Sequence, residues 1–202
     1  MTKISNAASV SVGLARSGHG AGARTGDWKL RMVDSADIAD DGWLELDSPR
    51  TISVVQNPYT ESHLLRPFDV LVTVRTRKAR IALVPPGVSR TVAGVTQLVV
   101  RARCPEIGMG HWLWFWLTSS WGRAQLHRHG LRGRMLPLMT ARDLGRIRVP
   151  VPSPDRLGWV ARFVESSESA YRSEIEAARI RRQSLRDALV QDLSDLQEPP
   201  CR

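Results

Sequence analysis

Apolar and polar residues alternate along several short stretches before residue 152, and this period-2 pattern is typical of half-buried β-strands. In the clearest case, 28–33, the residues Trp28, Leu30 and Met32 occupy every second position. The segment 4–14 is predicted to be a first packed element, with a transit peptide as the alternative because no acidic residue precedes Asp27. Further β-rich runs predict strands over 51–56, 70–74, 81–84 and 91–102, with a proline-tolerant edge strand over 146–152. Together with short helices, these strands predict an α+β domain with a mixed or antiparallel sheet.

One stretch, 110–125, is apolar on almost every side, which predicts a helix buried in a core and ending near Gln125. Its tryptophans are Trp112, Trp114, Trp116 and Trp121. Exposed aromatic rings can stack on single-stranded bases, so base binding is the alternative interpretation. Three tryptophans at alternate positions do not share one helix face, and this favours core packing.

Two helix starts follow near the end of the chain. Thr140 and Asp143 have the spacing of a capping box, which predicts a short helical turn. A stiff Pro-Ser-Pro hinge at 152–154 precedes a run without proline, which predicts one helix of about 40 residues. We therefore expect a globular domain over 1–152, a helix over 155–196 and a tail over 197–202.

The long helix carries a narrow apolar stripe at alternating spacings of four and three residues, interrupted by Glu168, Arg182 and Asp192. This spacing predicts a coiled-coil seam that pairs with a partner helix. A helix lying on its own domain, the alternative, would need a wider apolar face. The predicted partner-interface residues are Leu157, Ala161, Val164, Tyr171, Ile175, Ala178, Leu185, Leu189 and Leu196.

The charge of the chain indicates what kind of partner it binds. The chain has a net charge of +9 and a pI of about 10.8. Twelve Lys and Arg but one acidic residue, Glu106, lie in 70–142, so this segment carries +11 and the remainder −2. A basic field of this kind favours a polyanion, most commonly nucleic acid, over the substrate of a small metabolic enzyme.

The basic residues of this segment concentrate in two predicted loops, 75–80 and 127–134. A solvated loop is the simplest interpretation, but cations at the edge of a rigid sheet can also bind phosphates or probe a groove. The candidate DNA-binding residues are Arg75, Arg77, Lys78, Arg80, Arg128, His129, Arg132 and Arg134.

The sequence offers little support for catalysis, a metal or a membrane span. It has no Walker lysine and no complete Asn-Pro-Pro-Tyr methyltransferase signature, and no apolar run is long enough to cross a bilayer. Neither Cys104 nor Cys201 lies at disulfide-framework or zinc-ligand spacing, which fits a reducing, cytoplasmic compartment. A small nuclease using His127, His129 and Asp143 remains an alternative.

The order of these segments resembles the specificity subunit of type I restriction-modification systems. The similarity is carried by 4–14, 32–38 and 65–72, by the run WLTSSWGRAQL at 116–126, and by 144–152, which ends in RIRVPVP. The chain departs from the family in having Asp155-Arg156 where the family usually has Glu-Gln. The family has two recognition domains and two helices, so this chain resembles a half subunit.

The resemblance implies a non-catalytic target recognition domain that reads one half of a split sequence in double-stranded DNA. It implies a spacer helix that pairs with another, either in a homodimer or with another half subunit. The implied partners are DNA adenine methyltransferase subunits and a restriction/translocase subunit, which would carry S-adenosylmethionine, ATP and Mg²⁺. A basic RNA-binding or ribosome-associated protein is the alternative outside this family.

Overall fold

The computed structural model describes residues 1–15, 25–42, 44, 46, 50–74, 79–104, 108–130 and 139–195. Contacts divide the chain into two units, Met1–Ala161 and Arg162–Arg202. In chain order the described elements are β1 (Thr2–Lys3), α1 (Ile4–Ala7), β2 (Ala8–Val12), β3 (Trp28–Val33), a 3₁₀ turn (Ser35–Asp37), β4 (Arg50–Val54), α2 (Pro58–Ser62), β5 (Val70–Thr73), β6 (Ile81–Leu83), β7 (Thr91–Ala93), β8 (Gln97–Ala102), α3 (Met109–Thr118), α4 (Ser120–Gly130), α5 (Ala141–Arg146), β9 (Arg148–Val149) and α6 (Pro154–Asp195).

The strands of the first unit form three small sheets. An antiparallel sheet has the order β2-β8-β5-β6, and β1 pairs with β9. The third sheet, β4-β3-β7, is mixed, because β3 runs antiparallel to β4 and parallel to β7. The predicted α+β class with mixed and antiparallel sheets is thereby confirmed.

The alternation that predicted β3 also explains its packing. Leu30 and Met32 face one apolar cluster with Ile52 and Val92, whereas Val33 faces a second cluster around Leu71. Successive side chains of a strand point to opposite faces, so one strand contributes to two cores. The β4-β3-β7 sheet is therefore held between two buried apolar layers.

The single strand predicted over 91–102 is wrong, because two strands in different sheets lie there. The chain turns at Gly94, whose N–H donates to the Val33 carbonyl at 2.8 Å and whose carbonyl accepts from the N–H of Gln97 at 3.1 Å. A Cβ at Gly94 would collide with the Asp34 carboxylate. The apolar residues continue through this segment, so the sequence pattern did not reveal the turn between β7 and β8.

The single helix predicted over 110–125 is also wrong. The helix α3 ends at Thr118, and Ser119 takes an extended conformation before α4 begins. The Ser119 hydroxyl donates to the Trp116 carbonyl at 2.6 Å and accepts from the N–H of Gly122 at 3.2 Å. One serine therefore caps the end of α3 and the start of α4.

The prediction of a buried helix holds for α3. Leu113 and Leu117 are fully buried, and Trp114 and Trp116 are each 7% exposed. The helix packs on β5, β6 and β8. The indole N–H of Trp112 donates to the Pro150 carbonyl at 2.7 Å, which holds α3 against the segment before α6.

The long helix predicted over 155–196 is confirmed as α6, Pro154–Asp195. Its first turns belong to the first unit, where Leu157 and Val160 are buried. The shorter predictions at the end of the globular unit also hold: Thr140 caps α5 in a capping box with Asp143, and β9 is a short edge strand.

Candidate nucleic-acid interface

The first predicted basic loop lies mostly outside the described residues, which include Arg80 but not Arg75, Arg77 or Lys78. The Nε of Arg80 pairs with the Asp40 carboxylate at 2.8 Å, and its Nη1 donates to the Ser35 carbonyl at 3.2 Å. The Arg80 side chain is 37% exposed. It can face a ligand, but the fold already holds its guanidinium.

Other arginines of the +11 segment stabilise the fold. The Arg101 guanidinium binds the Asp69 carboxylate through both Nε and Nη2, at 3.0 and 2.7 Å, and also donates to the Leu64 carbonyl at 2.6 Å. Asp69 is 2% exposed, so its charge is compensated inside the domain. These cations contribute less to an outer field than their number suggests.

Arg123 has a similar structural role at the junction of two elements. Its Nε donates to the Thr118 carbonyl at 3.0 Å and its Nη1 to the Ala79 carbonyl at 3.3 Å. These bonds join α4 to the end of α3 and to the residue before Arg80. The orientation of α4 is consequently fixed by the Ser119 cap and by a bridging arginine.

The second predicted basic loop is wrong over 127–130, because these residues form the last turn of α4. Arg128 and His129 therefore project from a helix, while Arg132 and Arg134 lie outside the described residues. Cations in a last turn favour the negative end of the helix dipole. The Arg128 guanidinium is therefore favourably placed at the end of α4.

The α4 helix has one buried and one exposed face. Gly122 and Leu126 are buried, and a Cβ at Gly122 would collide with the Trp116 carbonyl. On the opposite face, Trp121 is 78% exposed. The prediction that the tryptophan cluster packs in the core is right for Trp114 and Trp116 and wrong for Trp121.

Asp143, a member of the alternative nuclease set, serves as a helix cap. Its carboxylate accepts from the Thr140 hydroxyl at 2.7 Å and from the Thr140 N–H at 3.3 Å. The Thr140 hydroxyl hydrogen bond lowers the pKa of Asp143, with smaller contributions from the charges of Arg146 and His129. A carboxylate held in this way is a poor general base.

The predicted interface residues of α6 differ in exposure. Leu157 and Val164 are each 1% exposed, whereas Tyr171 is 44%, Leu185 73% and Leu189 59% exposed. Ala161 and Ile175 are half-buried, Ala178 is exposed, and Leu196 lies outside the described residues. The part of the stripe from Tyr171 to Leu189 therefore presents an apolar surface, whereas Leu157 and Val164 are too buried to contact a partner helix.

The described residues show neither a metal-binding cluster nor a membrane-spanning helix. No group of three or more His, Cys, Asp or Glu in these ranges is arranged to hold a metal ion. No helix in the described part of the chain combines the length and apolarity needed to cross a membrane.

Comparison with known proteins is informative at the level of structure. No protein-family model matches the sequence, and no curated protein matches it. One similar structure is a chain of a type I R-M system, solved to explain its complex assembly and conformational transition. It is 17% identical, with a TM-score of 0.59, over 95% of this chain and 42% of that one.

A second similar structure is the HsdS subunit from Thermoanaerobacter tengcongensis, 16% identical, with a TM-score of 0.52, over 87% of this chain and 38% of that one. The two likenesses confirm the predicted fold, an α+β unit followed by a long helix. The chain spans about two fifths of the length of either matched structure.

Proposed function

We propose that this chain is a type I specificity subunit of half length, which binds double-stranded DNA and directs a methyltransferase to a bipartite sequence. The observation that carries the proposal is the order of its parts. A single similar structure from a type I R-M system covers 95% of the chain, including both the α+β unit and α6. The +11 segment supplies the electrostatic means of binding DNA.

A second recognition domain is required in this proposal, because one such domain reads too few bases to be selective. We infer that it comes from a second copy of the chain. The matched structures are more than twice as long as the matched region, which leaves room for a second unit of this kind. The exposed leucines Leu185 and Leu189 provide an apolar surface for pairing.

Antiparallel pairing of two α6 helices would relate the recognition domains by a two-fold axis. The bound DNA would then present the same half-site twice, inverted around a spacer that is not contacted. The recognised sequence would be an interrupted palindrome. Pairing with a different half subunit would instead give two unlike halves.

The chemistry belongs to partner subunits in this proposal. Methyltransferase subunits would bind S-adenosylmethionine, and a restriction/translocase subunit would use ATP and Mg²⁺, with the assembly in the cytoplasm. The nuclease alternative loses support because the Asp143 carboxylate caps α5. The RNA-binding alternative has one observation in its favour, the exposure of Trp121, although Trp114 and Trp116 are buried.

The test is methylation in the presence and absence of a cognate methyltransferase subunit. We expect the purified chain with S-adenosylmethionine, ATP, Mg²⁺ and plasmid DNA to neither methylate nor cut. With the methyltransferase subunit added, sequencing of modified bases should reveal adenine methylation at one interrupted palindrome. Comparing hosts with and without the gene provides the control.

Three results would contradict parts of this proposal. Methylation or cleavage that stays with the chain after repurification would identify an enzyme. A motif with two different halves would replace the homodimer by a heterodimer. Binding to single-stranded RNA with no binding to duplex DNA would favour the RNA-binding alternative.

A further inference from the structure

The exposed face of α4 carries side chains that do not pack in the core of the domain. Trp121, Ala124 and Arg128 follow one another at i, i+3 and i+7, so they share one face of the helix, with His127 beside them. All four residues are exposed, and they lie opposite Gly122 and Leu126. The face therefore combines an aromatic ring, a small residue and a cation.

Trp121 is unusual among the tryptophans of this region. A buried indole contributes a large apolar surface to a core, as Trp114 and Trp116 do in α3. Trp121 leaves 78% of its surface in water although it begins a helix whose other face is well packed. The indole therefore adds little to the core, and beside Arg128 it forms a pair of the residue types that are enriched at binding interfaces.

Arg128 differs from the arginines that hold the fold together. The guanidinium groups of Arg101 and Arg123 donate hydrogen bonds to carbonyl and carboxylate groups of the domain. Within the described ranges, no hydrogen bond or ion pair involves the Arg128 side chain. Its position in the last turn also offsets the negative helix end, which would otherwise repel a phosphate.

We propose that the exposed face of α4 lies in a groove of duplex DNA and that Trp121 determines specificity there. Ala124, the small residue at the middle of the face, would allow close approach of the helix. The Trp121 ring would contact apolar base edges such as a thymine methyl, and Arg128 would bind a backbone phosphate. This inference rests on the proposed function and adds a base-reading element to it.

The proposed contacts of Trp121 and Arg128 have different effects on DNA affinity, so they can be tested separately. A base-edge contact changes the ratio of specific to non-specific affinity, whereas a phosphate contact changes both affinities alike. We expect Trp121→Ala to lower that ratio roughly tenfold and Trp121→Phe to restore part of it. We expect Arg128→Ala to weaken binding to every sequence and to reduce the log–log salt slope by about 0.9.

The assay is fluorescence anisotropy with the full chain, using a duplex that contains its methylated motif and a scrambled duplex of equal length. Trp159→Ala is the matched control for loss of an exposed tryptophan, since Trp159 is 59% exposed. Arg162→Ala is the control for loss of an exposed arginine outside the +11 segment. Thermal melting of each variant verifies that its fold is retained.

Each outcome decides the inference. An unchanged affinity ratio in Trp121→Ala, while the wild-type chain still directs methylation, overturns the role of Trp121 and leaves the proposed function standing. A loss of methyltransferase binding with normal DNA recognition would reassign the face to a protein contact and also overturn it. A wild-type chain that binds no duplex overturns both proposals.

Discussion

The two units of the chain differ in how much of their apolar surface is buried. The Met1–Ala161 unit buries apolar clusters on both sides of β3 and compensates the charge of Asp69 internally. In the Arg162–Arg202 unit, the described apolar residues near the end of α6 are largely in water, with Leu185 73% and Leu193 58% exposed. A solitary helix gains little stability from water-exposed leucines, because most helical stability in proteins comes from packing.

The two units differ in charge as well. The +11 segment lies wholly within the first unit, whereas 162–202 contains seven arginines and eight acidic residues. A strongly basic surface favours a polyanion, and a balanced helix with an apolar stripe favours another helix. This contrast matches what the proposed function requires, a first unit that binds DNA and a second unit that binds another helix.

The largest effect should come from a charge placed in the apolar stripe of α6. Leu185→Asp would bury a carboxylate at the helix pair, and two-fold symmetry would place it there twice. We expect a loss of about 5 kcal/mol in association free energy, which corresponds to a several-thousandfold higher dissociation constant. Sedimentation analysis at micromolar concentration measures the effect, and methylation should be lost with it.

Ser184→Asp is the matched control, because Ser184 is exposed and lies outside the stripe. It adds the same charge to the same turn and should leave association nearly unchanged. A Leu185→Asp chain that still forms the wild-type assembly would show that α6 pairs through another face. The exposure of Leu185 and Leu189 would then have a cause other than helix pairing.

A smaller effect, confined to the first unit, should follow from Asp69→Ala. This change removes three hydrogen bonds from the Arg101 side chain and leaves its partly buried charge unpaired. We expect about 3–4 kcal/mol lower free energy of unfolding, measured by urea denaturation of the full chain. Asp40→Ala breaks the exposed pair with Arg80 and should cost less than about 1 kcal/mol. Equal losses would contradict the contrast between buried and exposed pairs.

The sequence predicted those parts of the fold that depend on local periodicity. Strand β3 and the long helix α6 were both visible in the spacing of apolar residues. The breaks at Gly94 and Ser119 were not, because they depend on individual hydrogen bonds, from Gly94 to Val33 and from Ser119 to Trp116. A periodic pattern of apolar residues does not record such bonds.

The candidate interface shows the same limit. Composition indicated a basic surface, but only coordinates distinguish Arg101, which holds the core, from Arg128, which faces solvent. The apolar character of the whole run predicts the same burial for Trp121 as for the core tryptophans, although Trp121 is exposed. A break signalled by consecutive serines before Trp121, together with the polar residues after it, would have separated α4 from α3.

A further small effect concerns the cap of α5 within the first unit. Thr140→Ala removes the hydroxyl that caps the helix and donates to Asp143, and we expect a loss of about 1 kcal/mol at neutral pH. The hydroxyl lowers the pKa of Asp143, so its stabilisation is present above the unfolded pKa of about 3.9 and is lost as pH falls through the folded value.

The difference in unfolding free energy between wild type and Thr140→Ala should therefore shrink as the pH falls below about 4. Thr140→Ser is the matched control, since it keeps the hydroxyl and should retain most of the stability at every pH. Urea denaturation between pH 3 and 7 measures the three curves. A difference that stays constant with pH would show that the hydroxyl stabilises α5 only as a backbone cap and not through the Asp143 carboxylate.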